Sequence, residues 1–207
     1  MACSENKNTV AQFKAMGLVN IQDINPNIQV DLKYATTDNF TGKIVYTDFK
    51  EAFFVKEVAL RLSRIQDRLT SLRPGYRLLI YDAARPFSVQ KRFFDYVKGT
   101  EQEQYVANPA ETGLHNYGIA VDLTIIDDRN IPLDMGVGFD YFGPEAHTNN
   151  EEKLLQEGKI TPAQIENRKF LRNLMSKEKF EVLANEWWHF NGYPLEVAKK
   201  SYQLLDF

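Results

Sequence analysis

The chain has 207 residues, 43% of them hydrophobic and 13% aromatic, enough to bury one sizeable core within the usual length of a single domain. Its 25 basic and 28 acidic residues leave a formal charge of -3. That balance gives no global electrostatic reason for nucleic acid or an anionic membrane as partner, and it leaves small neutral or zwitterionic substrates open. The single cysteine, Cys3, excludes an internal disulfide and a thiolate zinc cluster, so any metal site must draw on histidines and carboxylates.

Residues 1–25 read as a polar N-terminal segment preceding a domain over 26–207. Ala2-Cys3 followed by a polar tether resembles the start of a mature bacterial lipoprotein, which leaves two placements open. One is a lipid anchor at Cys3 with a periplasmic or envelope location; the other is an ordinary cytoplasmic N-terminus. No apolar run reaches the roughly 20 residues that span a bilayer, so no transmembrane segment is expected, and the sequence leaves the oligomeric state open.

In chain order, Ile28 to Tyr34 alternates apolar and polar residues as a half-buried strand does. From Glu51 to Leu72, Phe54, Val58, Leu62, Ile65 and Leu69 recur at spacings of three and four, one stripe along a helix that Pro74-Gly75 ends. Tyr76–Tyr81 is a compact strand, and Asp82-Ala83-Ala84-Arg85-Pro86 turns the chain into a second helix over Ser88–Val97 with Phe93, Phe94 and Val97 inward.

Gly118 to Ile126 reads as a strand with Ile131-Pro132-Leu133 returning across the turn Asp127-Asp128-Arg129-Asn130. Thr161-Pro162 with Gln164 caps a helix running to about Ser176. Trp187–Phe190 forms a closing strand before a terminal helix from Pro194. Strands and helices do not alternate regularly, which predicts a single compact α+β domain with a central, mainly antiparallel sheet flanked by helices.

Only three histidines exist, His115, His147 and His189. His115 and Asp122 are seven apart and would face opposite sides of an uninterrupted strand, so they converge only if the chain bends, which Gly118 permits. Two imidazoles, one carboxylate and an open fourth position suit a catalytic zinc, with His189 as the natural third ligand. Glu186, three residues before His189, is the candidate general base. Arg85, at a strand-to-helix junction, is the candidate stabiliser of a developing oxyanion, with Asp82 nearby to hold it. His147 reads as a loop residue outside the metal set, Asp127-Asp128 as solvated turn residues, and at least one of Trp187 and Trp188 as core.

Gly113-Leu114-His115-Asn116-Tyr117-Gly118-Ile119-Ala120-Val121-Asp122 resembles the Ser-x-His-x-x-Gly-x-Ala-x-Asp signature of zinc D-Ala-D-Ala metallopeptidases, and Glu186-Trp187-Trp188-His189 resembles their second signature. Asp31–Gly42 and Tyr81–Pro86 are similar to stretches of the VanX-type dipeptidase branch, so the resemblance runs from about Asp31 to Phe190.

The resemblance implies one zinc ion held by His115, Asp122 and His189, Glu186 as catalytic base and Arg85 as transition-state stabiliser. It also implies Asp140, in Phe139-Asp140, as partner of a dipeptide's free amino group, with Tyr34 facing the substrate. The implied function is hydrolysis of D-Ala-D-Ala or a related D-containing dipeptide in bacterial cell-wall peptide metabolism. The rivals are a D,D- or L,D-carboxypeptidase acting on peptidoglycan stems and, in another class, a non-catalytic zinc-binding recognition module. Two departures, Gly113 in place of the family's serine and Thr37 in place of a common tryptophan, leave the dipeptide preference open.

Overall fold

The computed structural model describes residues 8–207; the expectations for Cys3 lie outside the described residues. Part of the segment read as a polar lead-in is structured. It carries α1 (Thr9–Ala15), β1 (Leu18–Asn20) and α2 (Ile21–Ile24), and Phe13 and Ile21 are fully buried in the main core. Its apolar residues are divided among three short elements and so make no sustained pattern, yet Phe13, Leu18 and Ile21 fill the core.

β2 (Gln29–Val30) is shorter than the alternation of Ile28–Tyr34 suggests, because the chain curls into a 3-10 turn at Lys33–Ala35. Ile28, Leu32 and Tyr34 are nevertheless buried: the alternation reported burial, and a turn satisfied it as well as a strand. Next, β3 (Phe53–Val55) takes the place of the expected first helical turn and pairs antiparallel with β1. Helix α3 therefore begins at Lys56 and runs to Leu72, burying Val58, Leu62, Ile65 and Leu69 completely.

Strand β4 (Arg77–Asp82) leads into α4 (Phe87–Val97), in which Phe93 and Val97 are buried while Phe94, one position round the helix, is half-buried. β5 (Ala120–Ile126) is buried along its whole length. The return after it is a single bridge, Ile126 to Pro132, around a turn in which the Asp127 carboxylate accepts the backbone N–H groups of Arg129 and Ile131. Helix α5 (Glu151–Gln156) is followed by α6 (Pro162–Lys177), whose Thr161–Gln164 capping box forms as expected. The hairpin β6 (Glu181–Leu183) and β7 (Glu186–Asn191) and helix α7 (Leu195–Ser201) complete the chain.

The five-stranded sheet has the order β2-β4-β5-β7-β6, antiparallel except for the β2–β4 edge pair, an α+β architecture. Along β5, Val121, Leu123 and Ile125 enter the main core while Asp122 and Thr124 turn to the opposite face. No helix among the described residues is long and apolar enough to cross a membrane.

Gly118 caps the 3-10 turn Leu114–Tyr117 in the left-handed conformation, φ 67°, and a Cβ there would stand 3.0 Å from Leu18 Cδ2. Backbone conformation favours glycine here, and a Cβ would crowd the Leu18 side chain. Gly118→Ala is expected to destabilise the protein by about 1–2 kcal/mol, read as a lowered midpoint in thermal or urea unfolding.

Candidate active site

The bend that Gly118 makes is what brings His115 to Asp122. His115 sits in the 3-10 turn, Asp122 two residues into β5, and His115 Nε2 lies 3.3 Å from Asp122 Oδ1. Across the sheet, Asp82 of β4 is level with Asp122 of β5, and Asp122 is level with His189 of β7. Three strands thus place three polar side chains in one row, with His189 Nδ1 2.9 Å from Asp122 Oδ1 and 3.2 Å from His115 Nε2.

The tautomers follow from the outer nitrogens. His115 Nδ1 lies 2.8 Å from the Ala83 carbonyl, which can only accept, so Nδ1 carries the proton. His189 Nε2 lies 2.7 Å from Asn191 Oδ1, and with the amide oxygen presented there Nε2 carries that ring's proton. His115 Nε2 and His189 Nδ1 therefore both turn lone pairs towards Asp122 Oδ1. Three acceptors converge with no donor among them, a set that fits a divalent cation preferring nitrogen and oxygen ligands. Burial alone would raise the Asp122 carboxyl, and positive charge beside it, from the His115 side first and then His189, holds it well below the usual carboxylate range; where the imidazoles present lone pairs, a divalent cation would supply that charge.

Strict alternation would put Glu186 and His189 on opposite faces of β7. They converge because the β6–β7 ladder slips: Val182 pairs with Phe190 but Leu183 with Glu186, leaving 187–189 without partners on β6. This bulge re-aims the side chains, and Glu186 Oε2 comes 4.0 Å from His189 Nδ1. Removal from water pushes the Glu186 carboxyl up to about 8, with Asp122 and Asp140 reinforcing the shift and His189 and Arg85 opposing it.

Arg85 points into the same space. Its Nε and Nη2 donate to Asp82 Oδ2 at 3.0 and 2.5 Å, and its Nη1 donates to Gln90 Oε1 at 2.8 Å. The Tyr46 hydroxyl donates to the other Asp82 oxygen at 2.7 Å. Arg85 Nη2 is 4.0 Å from Asp122 Oδ2. Burial opposes its charge, but Asp82, then Tyr34, Tyr46 and Asp122, more than offset this and keep the guanidinium protonated.

Asp140 adopts a left-handed backbone, φ 61°. Its Oδ1 accepts the Tyr34 hydroxyl at 3.0 Å and its Oδ2 accepts the Phe40 N–H at 3.2 Å. Loss of water pushes it up to about 7, against those two hydrogen bonds. All seven expected residues line one cavity of about 250 Å³, walled elsewhere by side chains such as Phe93, Phe142 and Trp188. A larger open depression of about 590 Å³ beside α5 gathers none of these groups.

His147 stays outside the metal cluster, with Nε2 3.5 Å from the Tyr105 hydroxyl. Both tryptophans are buried, and Trp188 also walls the cavity. Gly113 lines the cavity in an extended conformation, and a Cβ there would make ordinary contacts at 3.4 Å with Asn116 Oδ1 and 3.5 Å with Ala107 Cβ. The fold does not demand glycine at this position. Thr37 is exposed and lies outside the cavity wall.

Asn191, Gln90 and Tyr46 are site residues that the sequence reading passed over. Only Asn191 carried a local signal, two residues after His189 on the same strand face. Asn191→Ala is expected to weaken metal affinity by about 10–100-fold, the usual cost of losing a hydrogen bond that orients a ligand. Competition with a chromophoric chelator measures it, and parental affinity would show that Asn191 does not set the His189 tautomer.

Residues 14–204 match the family described as D-Ala-D-Ala dipeptidase. The D-alanyl-D-alanine dipeptidase of Escherichia coli is 31% identical over 188 residues, covering 86% of this chain and 88% of that protein. The D-alanyl-D-alanine dipeptidase of Enterococcus faecalis is 30% identical over 191 residues, covering 84% and 90%, and that of Streptomyces coelicolor is 30% identical over 190 residues, covering 82% and 88%. With the family match spanning nearly the whole chain and relatives of this similarity over more than four-fifths of it, the chain belongs to the D-Ala-D-Ala dipeptidase family of zinc peptidases.

Proposed function

We propose that this chain hydrolyses D-Ala-D-Ala, or a closely related D-containing dipeptide, at a zinc ion held by His115, Asp122 and His189, and serves bacterial cell-wall peptide metabolism. One observation carries the dipeptide reading: a cavity of only about 250 Å³ that has the three-ligand cluster and the recessed Asp140 carboxylate in its wall together. A dipeptide, whose ammonium and scissile carbonyl lie only a few atoms apart, suits a cavity that brings both groups into one wall.

Zinc supplies Lewis acidity, which makes water a competent nucleophile near neutral pH and polarises the scissile carbonyl. The residues of the chain do the rest. Glu186 accepts the proton of the attacking water and delivers it to the departing amine. Arg85, fixed by Asp82 and Gln90, offers a permanent positive charge to the oxyanion that develops on the carbonyl, with no reorganisation needed at that moment. Asp140 receives the substrate ammonium, a pairing that lowers its raised affinity for a proton. A longer chain would present an uncharged amide to that carboxylate, which favours a dipeptide over a peptidoglycan stem.

The pH dependence follows from Glu186. A base works when deprotonated, so activity falls as pH falls through its pKa. Burial sets that near 8 in the bare site, and a neighbouring divalent charge lowers it. The turnover profile should therefore rise with pH on a limb below 8. Glu186→Gln should retain zinc, lose about 10²–10⁴-fold in kcat and lose that limb. Zinc content by metal analysis and kcat across pH measure both, and parental turnover in Glu186→Gln would refute the base assignment.

A further inference from the structure

Asp140 stands at the apex of an irregular loop and holds a left-handed backbone that a residue with a side chain adopts at a cost of order 1 kcal/mol. Something must hold the loop. The ends of its 135–145 stretch converge on one side chain of α6. Arg168, 1% exposed, donates from Nε to the Met135 carbonyl and from Nη2 to the Glu145 carbonyl, each at 2.8 Å.

We propose that Arg168 is a positioning residue for substrate binding, clamping both ends of the 135–145 loop so that Asp140 meets the substrate's amino group. The proposal rests on the reading of Asp140 as partner of that ammonium. The flanking contacts agree with it. Gln164 and Asn167, on the same helix, hold Asp134 at 2.9 and 2.8 Å, and Trp187 Nε1 donates to the Val137 carbonyl at 3.0 Å. Beyond these the apex meets the site wall, through Asp140 to Tyr34 and Phe40.

The design is costly in isolation, which argues that it serves the loop. Arg168 Nη1 has no hydrogen-bond partner, and its ion pair with Glu151 is long at 3.8 Å, because Arg172 takes both Glu151 oxygens at 2.7 Å. A buried guanidinium kept for charge pairing alone would have claimed Glu151. The planar fork instead gives each carbonyl its own donor in a fixed geometry, which a rotating ammonium on a flexible stem does not reproduce.

The test is steady-state kinetics of zinc-loaded Arg168→Lys, Arg168→Met, Asp140→Asn, the Arg168→Lys/Asp140→Asn pair and, as a control that disturbs only the Glu151 pairing, Arg172→Lys. On D-Ala-D-Ala, Arg168→Lys should raise KM about tenfold with kcat within about twofold and zinc content unchanged, the pattern of lost uniform binding. Arg172→Lys should leave KM near the parent. In the double variant the KM increases should not multiply, since both substitutions remove one interaction. Arg168→Met, which removes the buried charge, is read in the same way should the lysine variant fail to fold. Parental KM in the Arg168 variants beside a raised KM in Asp140→Asn, or fully multiplicative effects, would overturn the clamp. Parental KM in Asp140→Asn would overturn the Asp140 reading and the clamp with it.

Discussion

The site depends on one cross-strand row at the end of the sheet, in which Asp82, Asp122 and His189 stand level on β4, β5 and β7. A sheet fixes its neighbours at ladder spacing, so the distance between Asp122 and His189 is set by backbone hydrogen bonds rather than by side-chain choice. Two local irregularities supply what a regular sheet cannot. The left-handed Gly118 returns His115 to the row, and the slip between β6 and β7 turns Glu186 towards His189. Rigid strands thereby hold the reacting groups, and the bends aim them.

The electrostatics of the cavity follow from that row. Asp82, Asp122, Asp140 and Glu186 bring four carboxyls close to one guanidinium, and the imidazoles are oriented by the Ala83 carbonyl and Asn191. Asp82 is satisfied by Arg85 and Tyr46, whereas Glu186 and Asp140 are pushed up to about 8 and about 7. On the proposed function, a divalent charge at the three ligands would lower Glu186 into working range, and an incoming ammonium would do the same for Asp140. Under that proposal, zinc and the dipeptide's amino terminus are the two positive charges that would balance the cavity's carboxyls.

Much of this was legible in the sequence because the informative residues are scarce or locally patterned. Three histidines left few metal sites to consider, the α3 stripe from Val58 to Leu69 runs for about three turns, and the Thr161–Gln164 cap lies within four residues. What stayed hidden is what local pattern does not encode. The β1–β3 pair consists of three-residue strands, too short to show alternation. Tyr46 and Asp82 meet across 36 residues and Arg168 and Met135 across 33. The convergence of Glu186 with His189 needed a bulge, and no periodic reading predicts a departure from period.

The most direct test of the account is an amine-release assay of the zinc-loaded protein, with and without chelator, on D-Ala-D-Ala, L-Ala-D-Ala, L-Ala-L-Ala and an N-acetylated tripeptide ending in D-Ala-D-Ala. Chelator-sensitive cleavage of free D-Ala-D-Ala, with the blocked tripeptide untouched, is the predicted result. Cleavage confined to the blocked tripeptide, or of none of the four, would contradict it.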